Sequence, residues 1–451
     1  MTFRTASDRK LALWMAAAGI ALGAALAGTL ALCRLQHRAA LAARSELAPD
    51  PAALRYRFST ASSTAAADTA STITALEARI EALGSPFDYG ELAELHLRRA
   101  QLDGDPEGYR IAEAMARRSL ELLPSPNLAV LTLARLAEVR HDFRDAIELA
   151  RGHAARSAGA ALILATAHLA LGELAAAAAA AHTAIAIKPD TAGYLGRALV
   201  LQTQGRDAEA ALDFANAARV EEPGDLPAAA RLRALWGRFL LRRGELAGAA
   251  QLFDEALRIA PGFALATAYR GELALRTGHA RDAARLFEQA FIASRQVRYL
   301  IDQARAQELA GDLPGANALR AQVEAIVRAE LGAGGLGHRL DLAEVLIDRG
   351  APSDLAEAVA LAREEASRRG SWEVRFQLAR ALARSGARDE ARREVQAALA
   401  SGANEAQLYE LAAALEARCG NPRAAALYTQ LADRIDPGAS GWRKLGLGDR
   451  R

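Results

Sequence analysis

Aromatic residues, cysteine and lysine are scarce in this chain of 451 residues. Aromatic residues make up 5% of the chain although 51% of it is hydrophobic, and there are two cysteines. This composition argues against a β-sandwich core and against a disulfide or thiolate–metal framework, and the abundant alanine favours closely packed helices. Lysine occurs at only three positions. The bias towards arginine and alanine is typical of GC-rich coding and predicts a bacterial source.

A large excess of charge of one sign is also absent. The formal net charge is +2, and the first fifty residues hold six basic and three acidic side chains, so the remaining residues sum to −1. Domains that bind nucleic acid usually present a basic patch, because contacts with phosphates dominate the affinity. We therefore predict that the protein has no nucleic-acid partner.

The longest run without a charged side chain, LALWMAAAGIALGAALAGTLALC, covers residues 11–33. A helix of this length crosses a hydrocarbon core of about 30 Å. A cleaved signal peptide is the alternative, but its apolar region usually has about 7–15 residues. We predict a short polar head at residues 1–10, then one transmembrane helix in a bacterial inner membrane. Basic residues flank the run equally, and we predict a periplasmic body because long domains are exported largely regardless of charge.

Two further segments precede the body of the chain. Residues 34–72 are rich in serine, threonine and alanine and show no apolar periodicity, which predicts a flexible linker. Residues 73–86 carry Ile73, Leu76 and Ile80 at helical spacing. This apolar stripe predicts a helix that caps the domain that follows.

The body contains an internal repeat. The stretch LRRGELAGAAQLFDEALRIAP begins at Leu241, and LRTGHARDAARLFEQAFIA begins 34 residues later at Leu275. Three kinds of residue recur in register: Gly244 and Gly278, Ala249 and Ala283, and Phe253 and Phe287. Glycine permits the positive φ that ends a helix, alanine lets two helices approach, and phenylalanine fills the space between neighbouring hairpins.

With Trp236, Gly237 and Pro261, this pattern resembles the tetratricopeptide repeat (TPR). The departures are tryptophan where the family has leucine, and Leu240 where the family has tyrosine. The resemblance implies stacked helical hairpins that bind peptides or helices on a concave surface. It carries over no cofactor.

The same frame recurs along residues 87–437 and predicts an all-α solenoid, an α-α superhelix of about ten TPR-like hairpins. Repeats 1–7 are predicted at 87–330 and repeats 8–10 at 339–437. The glycine-rich residues 331–338 between them are either a hinge or a longer turn. Residues 438–451 are predicted to be a C-terminal tail.

We find no pattern in the sequence that predicts catalysis. The eight histidines form no zinc-binding motif, and GAGGLG lacks the strand and the lysine of a phosphate-binding loop. His168 and His182 lie on the two helices of one predicted repeat, where ordinary polar or packed positions are the expected reading. The repeats occupy almost the whole body, so we predict no enzyme activity, no cofactor and no metal site.

The candidate binding site is the concave surface of repeats 5–7. In the TPR frame, the inward positions of the first helices are mostly basic, which predicts a positive groove for an acidic or C-terminal peptide segment. Ordinary solvated charge is the competing interpretation. The candidate residues are Arg231, Arg238, Arg242, Glu272, Arg276, Arg298, Arg305 and Glu308.

These observations lead to two functional hypotheses. The first is a membrane-tethered scaffold that holds protein partners during assembly, export or envelope biogenesis. The second is a structural membrane component that associates with itself or with a neighbour and has no transient client; homo-oligomerisation would be its signature.

Overall fold

The structure is a computed structural model that describes residue 47 and residues 54–60, 65–332 and 337–437. The chain divides into a unit Met1–Ala48 and a compact unit Pro49–Arg451, which contains all helices reported below. Among the described residues there is no strand, and no helix there is both long enough and apolar enough to cross a membrane. The predicted polar head, transmembrane helix and C-terminal tail lie outside these residues.

The described part of the chain is all-α and forms twenty-one helices. They are α1 Ala65–Leu83, α2 Pro86–Asp103, α3 Pro106–Leu122, α4 Ala129–Val139, α5 Phe143–Arg151, α6 Ala158–Leu171, α7 Leu174–Ile187, α8 Thr191–Thr203, α9 Asp207–Arg219, α10 Leu226–Arg242, α11 Leu246–Ile259, α12 Ala264–Arg276, α13 Ala280–Ser294, α14 Val297–Leu309, α15 Leu313–Gly332, α16 Arg339–Arg349, α17 Pro352–Arg368, α18 Trp372–Ser385, α19 Arg388–Ala400, α20 Ala406–Arg418 and α21 Pro422–Ile435.

After α1, the helices pair as antiparallel hairpins in a TPR-like solenoid. Hairpin 1 is α2–α3 and hairpin 10 is α20–α21. In hairpin 5, a Cβ added to Gly237 of α10 would lie 2.5 Å from the ring of Phe253 on α11, so only glycine allows this approach. Gly244 takes a φ of +84° in the turn between the two helices. The close approach at Gly237 and the turn at Gly244 were both predicted. Phe253 was predicted to fill the space between hairpins; it packs on its own hairpin at Gly237, and its ring centre also lies 6.0 Å from that of Tyr269 on α12 of the next hairpin.

The N-terminal boundaries differ from the prediction. The first helix, α1, begins at Ala65, well before residue 73, and ends at Leu83. Residues 54–60, within the predicted flexible linker, are packed against hairpins 4 and 5, and Tyr56 is 4% exposed. We call residues 54–60 the strap. Composition alone missed it because its contacts lie more than 150 residues away along the chain.

The predicted break at residues 331–338 is also shorter than expected. Helix α15 continues through Gly332, and His338 directly precedes α16. The Nδ1 atom of His338 lies 2.5 Å from the Glu330 carboxylate, a hydrogen bond that raises the pKa of the imidazole. This bond links the end of α15 to the start of α16.

Connecting loops of later hairpins pack against turns of earlier hairpins. The N–H of Gly370, after hairpin 8, donates to the carbonyl of Leu171 at the turn of hairpin 3 (3.2 Å). The N–H of Asn404, after hairpin 9, donates to the carbonyl of Thr203 at the turn of hairpin 4 (2.8 Å). In both cases a turn meets the loop that follows the fifth hairpin after it.

Two other contacts keep the same step. A Cβ added to Gly104, at the turn of hairpin 1, would lie 2.5 Å from the carbonyl oxygen of Ser294, which ends hairpin 6. One added to Gly244, at the turn of hairpin 5, would lie 3.2 Å from Pro437, after hairpin 10. We call these turn-to-loop contacts the seam. The hairpins therefore coil at about five per superhelical turn, with successive turns in direct contact.

Candidate functional site: a cavity within the superhelix

The inner side of the superhelix contains a partly open cavity of about 1130 Å³. Its wall comes mainly from the first helices of hairpins 5 to 10, namely α10, α12, α14, α16, α18 and α20. His141, at the turn of hairpin 2, also reaches the cavity. Hairpins that are remote in sequence meet here because the seam brings the second superhelical turn back to the first.

Six of the eight candidate residues predicted from the sequence line this cavity: Arg238, Arg242, Glu272, Arg298, Arg305 and Glu308. Arg231 is exposed and lies outside the lining. It occupies the start of α10, before the helix reaches the cavity.

Arg276 has a different role from the predicted one. Its guanidinium donates to the carbonyl of Leu241, to the carboxylate of Asp436 and to the carbonyl of Pro437. The Arg276 side chain is 5% exposed and that of Asp436 is 0% exposed. This buried ion pair, which we call the lock, joins hairpins 5 and 6 to the end of hairpin 10. Arg276 is therefore part of the seam and does not line the groove.

The predicted excess of positive charge in the groove is also corrected. Eight arginines and seven carboxylates line the cavity, so the formal charges nearly balance. The sequence prediction counted charges only in repeats 5–7. It overlooked Asp302, although the helix that carries Asp302 was considered, and it left out the carboxylates that later hairpins supply. The missed carboxylates are Asp302, Asp341, Glu344, Asp348 and Glu373.

Glu344, at the centre of α16, organises the charges around it. Arg298 of α14 donates to its Oε2 atom at 2.5 Å, and Gln377 of α18 donates to the same atom at 3.0 Å. Burial alone would raise the pKa of this carboxyl, but the guanidinium groups of Arg298 and Arg380 outweigh it and lower the pKa to about 2. The first helices of hairpins 7, 8 and 9 are therefore joined by an ionised carboxylate.

Two neighbouring carboxylates are less well compensated. Burial raises the pKa of Asp341 to about 6, although Arg298 and His338 act in the opposite direction. Burial also raises the pKa of Asp302, which nevertheless accepts a hydrogen bond from Arg298 at 2.9 Å. Arg298 is thus the common ion-pair partner of several acidic side chains. The negative charge on this part of the wall is only partly stabilised by the groups around it.

At the opposite end of the wall, Arg238 of α10 lies over the ring of Tyr269 with its guanidinium carbon 5.2 Å from the ring centre. Burial lowers the pKa of Arg238, but Tyr269, Glu272 and Glu405 more than offset this effect, so the pKa is raised. Its Nε–H group is buried and has no hydrogen-bond acceptor among the described residues. A buried donor left in this state is costly, and an incoming acceptor would relieve that cost.

Aromatic side chains complete the lining. Trp372 and Phe376 of α18 pack edge to face with ring centres 6.3 Å apart, and the Arg380 guanidinium lies 5.8 Å from the Phe376 ring centre. Tyr269 and Tyr299 line the cavity on α12 and α14. The wall therefore combines aromatic side chains with charged groups of both signs, and this combination suits amphipathic peptide side chains.

The residues missed by sequence reasoning lie mainly on α16 and α18. The TPR frame that placed Arg238 and Arg298 on the concave side also extends to these helices, so the signal was present. What the frame does not contain is the five-hairpin step that folds them around the same space. In the described residues, no cluster of three or more histidine, cysteine or acidic side chains could hold a metal ion.

No protein-family model matches the chain, and no curated protein matches its sequence. Among solved structures, it is similar to the human IFIT1 dimer with PPP-AAAA at 14% identity and a TM-score of 0.45, over 82% of this chain and 94% of that one. It is also similar to yeast Tom70 at 14% identity and a TM-score of 0.37, over 80% and 88% of the two chains. These likenesses are loose, so the fold assignment rests on the hairpins themselves.

Proposed function

We propose that this protein is a membrane-tethered scaffold that holds a peptide or helix segment of partner proteins inside the cavity. In this proposal the apolar run at residues 11–33 anchors the chain in a bacterial inner membrane and leaves the repeats in the periplasm. The partners would be proteins in assembly, export or envelope biogenesis.

The size and lining of the cavity support a peptide as the occupant. A volume of about 1130 Å³ exceeds the roughly 300–1,000 Å³ of most small-molecule sites. Charged groups of both signs line the cavity together with Tyr269, Tyr299, Trp372 and Phe376. A peptide segment offers both polar and apolar side chains to such a lining.

The observation that carries the proposal is the environment of Arg238. Its ring contact with Tyr269 holds the guanidinium in place, and its buried Nε–H group lacks an acceptor among the described residues. Arg242 follows one helical turn later on the same wall. A side-chain carboxylate or a C-terminal carboxylate would accept from Arg238 in a charge-assisted hydrogen bond. An acidic or C-terminal peptide segment therefore fits this end of the cavity.

The test is capture of partners by crosslinking in cells that express the full chain. We expect the double variant Arg238→Glu/Arg242→Glu to lose partners that the natural chain captures. The matched control is Arg231→Glu/Arg285→Glu, which makes the same change of charge at two exposed arginines. The milder variant Arg238→Gln/Arg242→Gln, with its melting temperature checked, separates lost binding from lost folding. If all chains capture the same partners, the cavity is not the binding site.

A second function, self-association as a structural membrane component, is favoured by a different observation. Four of the five turns in hairpins 6 to 10 have glycines at which an added Cβ would meet no atom of a described residue within 4 Å, namely Gly278, Gly311, Gly386 and Gly420. The turns of hairpins 1, 3, 4 and 5 are all occupied at the equivalent position. This end of the array therefore presents turns of the same kind as those that connecting loops of the same chain cover elsewhere.

A further inference from the structure

Two of the four seam contacts share one hydrogen-bond pattern. In each, a backbone N–H in a connecting loop of the second superhelical turn donates to a carbonyl at a turn of the first. Gly370 N–H bonds to Leu171 in this way, and Asn404 N–H bonds to Thr203. No hairpin of the chain lies five positions before hairpins 1 to 5, so no turn within the chain can supply such a carbonyl to their loops. The amides of these loops are left to water or to another segment.

The strap supplies that partner at the loop after hairpin 4. The amide of Gly224 in this loop donates to the hydroxyl of Tyr56 (3.1 Å), and the same hydroxyl donates to the carbonyl of Glu222 (3.3 Å). Arg57 donates to the carbonyl of Arg219 at 2.6 Å. The strap thus occupies the side of the loop that a hairpin turn would occupy in the seam.

Further contacts fix the strap along its length. The Tyr56 amide donates to Glu255 at 2.8 Å, and the carbonyl of Leu54 accepts from the buried Arg233 at 2.8 Å. Arg233 also lies over the Tyr56 ring, 5.6 Å from its centre, and Tyr56 and Phe58 pack together on hairpin 5, beside Ala229, Ala230 and Ile259. With this many side-chain and backbone contacts, the extended strap binds a specific surface of the folded array.

At the opposite edge of the array, four turns are not covered by any described residue. The turns of hairpins 6, 7, 9 and 10, which we call the turn edge, contain the four glycines named above, whereas the turn of hairpin 8 at Gly350 is covered by Arg384. Leu309 and Leu313, which flank the turn of hairpin 7, are 38% and 49% exposed. Apolar side chains are also exposed near the first connecting loops, where Phe87 is 71% exposed and Leu128 is 64% exposed. Both edges therefore carry apolar surface of the kind that interfaces cover.

We propose that the strap caps a self-complementary edge and that its release lets the turn edge of a second copy dock in its place. If the five-hairpin step continues from one copy into a second copy, it determines which turn of one copy meets which loop of the other. The turn of hairpin 9, at Gly386, would meet the loop after hairpin 4 of the other copy, at Gly224. The contact joins two different surfaces, so it is heterologous and can add further copies head to tail.

This inference does not depend on the cavity, because the strap and the turn edge lie outside its lining. The covered surface and its occupant are both defined by residues of this chain. Continuity with the seam is the reason for choosing a second copy as the occupant, since the same structural parts already dock on one another within one chain.

The experiment uses the full chain in detergent, with its mass measured by light scattering over a range of concentrations. We expect the natural chain to be monomeric and the strap variant Tyr56→Ala/Phe58→Ala to shift to dimers and larger species as the concentration rises. Adding Ser385→Glu to the strap variant places a carboxylate on the exposed turn of hairpin 9, which in the proposed register faces Glu222 and Asp225. This triple variant should return to a monomer.

A synthetic peptide of residues 53–60 provides an independent arm, because it should suppress association of the strap variant by refilling the vacated surface. The single variant Tyr56→Ala repeats the test if the double variant has a lowered melting temperature. A folded strap variant that stays monomeric would overturn the proposal. So would association that neither Ser385→Glu nor the peptide reduces, or a natural chain that already associates through an edge the strap covers. The cavity variant Arg238→Gln/Arg242→Gln should stay monomeric whatever its partner capture shows.

Discussion

Replacing Arg276 with alanine should destabilise the array far more than replacing an arginine that faces solvent. In the lock, Arg276 donates to Leu241, Asp436 and Pro437, and both charged side chains are almost fully buried. Arg276→Ala would remove from the buried Asp436 carboxylate the guanidinium that donates to it, and would take the same donor from two carbonyls. Removal of one member of a buried ion pair costs about 3–5 kcal/mol, and we expect a loss in that range.

The loss should appear first at the C-terminal end. Helix α21 buries only Ala432 among its residues, so its position depends on the lock and on α20 more than on a core of its own. Hydrogen exchange of the α21 amides is therefore the most direct assay, and urea unfolding gives the overall effect. A loss of about 3–5 kcal/mol corresponds to exchange faster by about a hundredfold to several thousandfold, at roughly 1.4 kcal/mol per factor of ten.

Two further variants make this prediction decisive. Arg231→Ala, at an exposed position, should change stability by no more than about 0.5 kcal/mol. Arg276→Met/Asp436→Leu replaces the pair with apolar side chains and should be more stable than either single variant. The reasoning is refuted if Arg276→Ala unfolds like Arg231→Ala, since the lock would then hold nothing together.

Two other predictions concern the seam and the cavity wall. Gly172→Ala would bring a Cβ to 2.6 Å from the carbonyl oxygen of Gly370, whereas the Cβ of Gly278→Ala, at a similar positive φ, meets no described residue within 4 Å. Both variants should lose about 1–2 kcal/mol to backbone strain, and thermal unfolding should show an additional loss only for Gly172→Ala. Because burial raises the pKa of Asp341 to about 6 from an ordinary value of 3.8, the folded state gains stability as pH falls from about 6 to 4. Asp341→Asn should therefore stabilise the folded state at pH 7 by up to about 3 kcal/mol, measured as a higher melting temperature, and should have little effect below pH 4. Equal effects at both pH values would contradict the raised pKa of Asp341.

The hairpins could be predicted from the sequence because the residues that shape them act locally. Gly237 and Phe253 meet within one hairpin, and Gly244 ends its first helix by a backbone conformation that few other residues adopt. Such contacts recur with each repeat and leave a periodic record in the chain. The strap produces no periodic pattern in the sequence. Its packing depends on Arg233 and Glu255, which only the folded array brings next to Tyr56.

The charge of the cavity could not be counted from one stretch of sequence for the same reason. Arg298 and Arg305 are basic positions of hairpin 7, yet Glu344 and Asp348 of the next hairpin face them across the wall. Arg276 looks like its neighbours in the repeat frame, but the C-terminal end of hairpin 10 reaches it and removes it from the groove. The TPR frame assigns a residue to the concave side, and the superhelical step then decides which distant residues oppose it.

That step also constrains how the proposed functions can be separated by experiment. A triple charge reversal at Arg238, Arg242 and Arg276 would break the lock while it altered the cavity, so lost binding could not be distinguished from an opened superhelix. Leaving Arg276 intact confines the change to the cavity wall, and changing Tyr56 or Ser385 affects only the edges. Partner capture, unfolding and self-association then report on three different sets of contacts. If charge reversal at Arg238 and Arg242 abolished capture but also accelerated hydrogen exchange in α21, cavity and lock would be coupled, and a bound peptide should protect α21 in the natural chain.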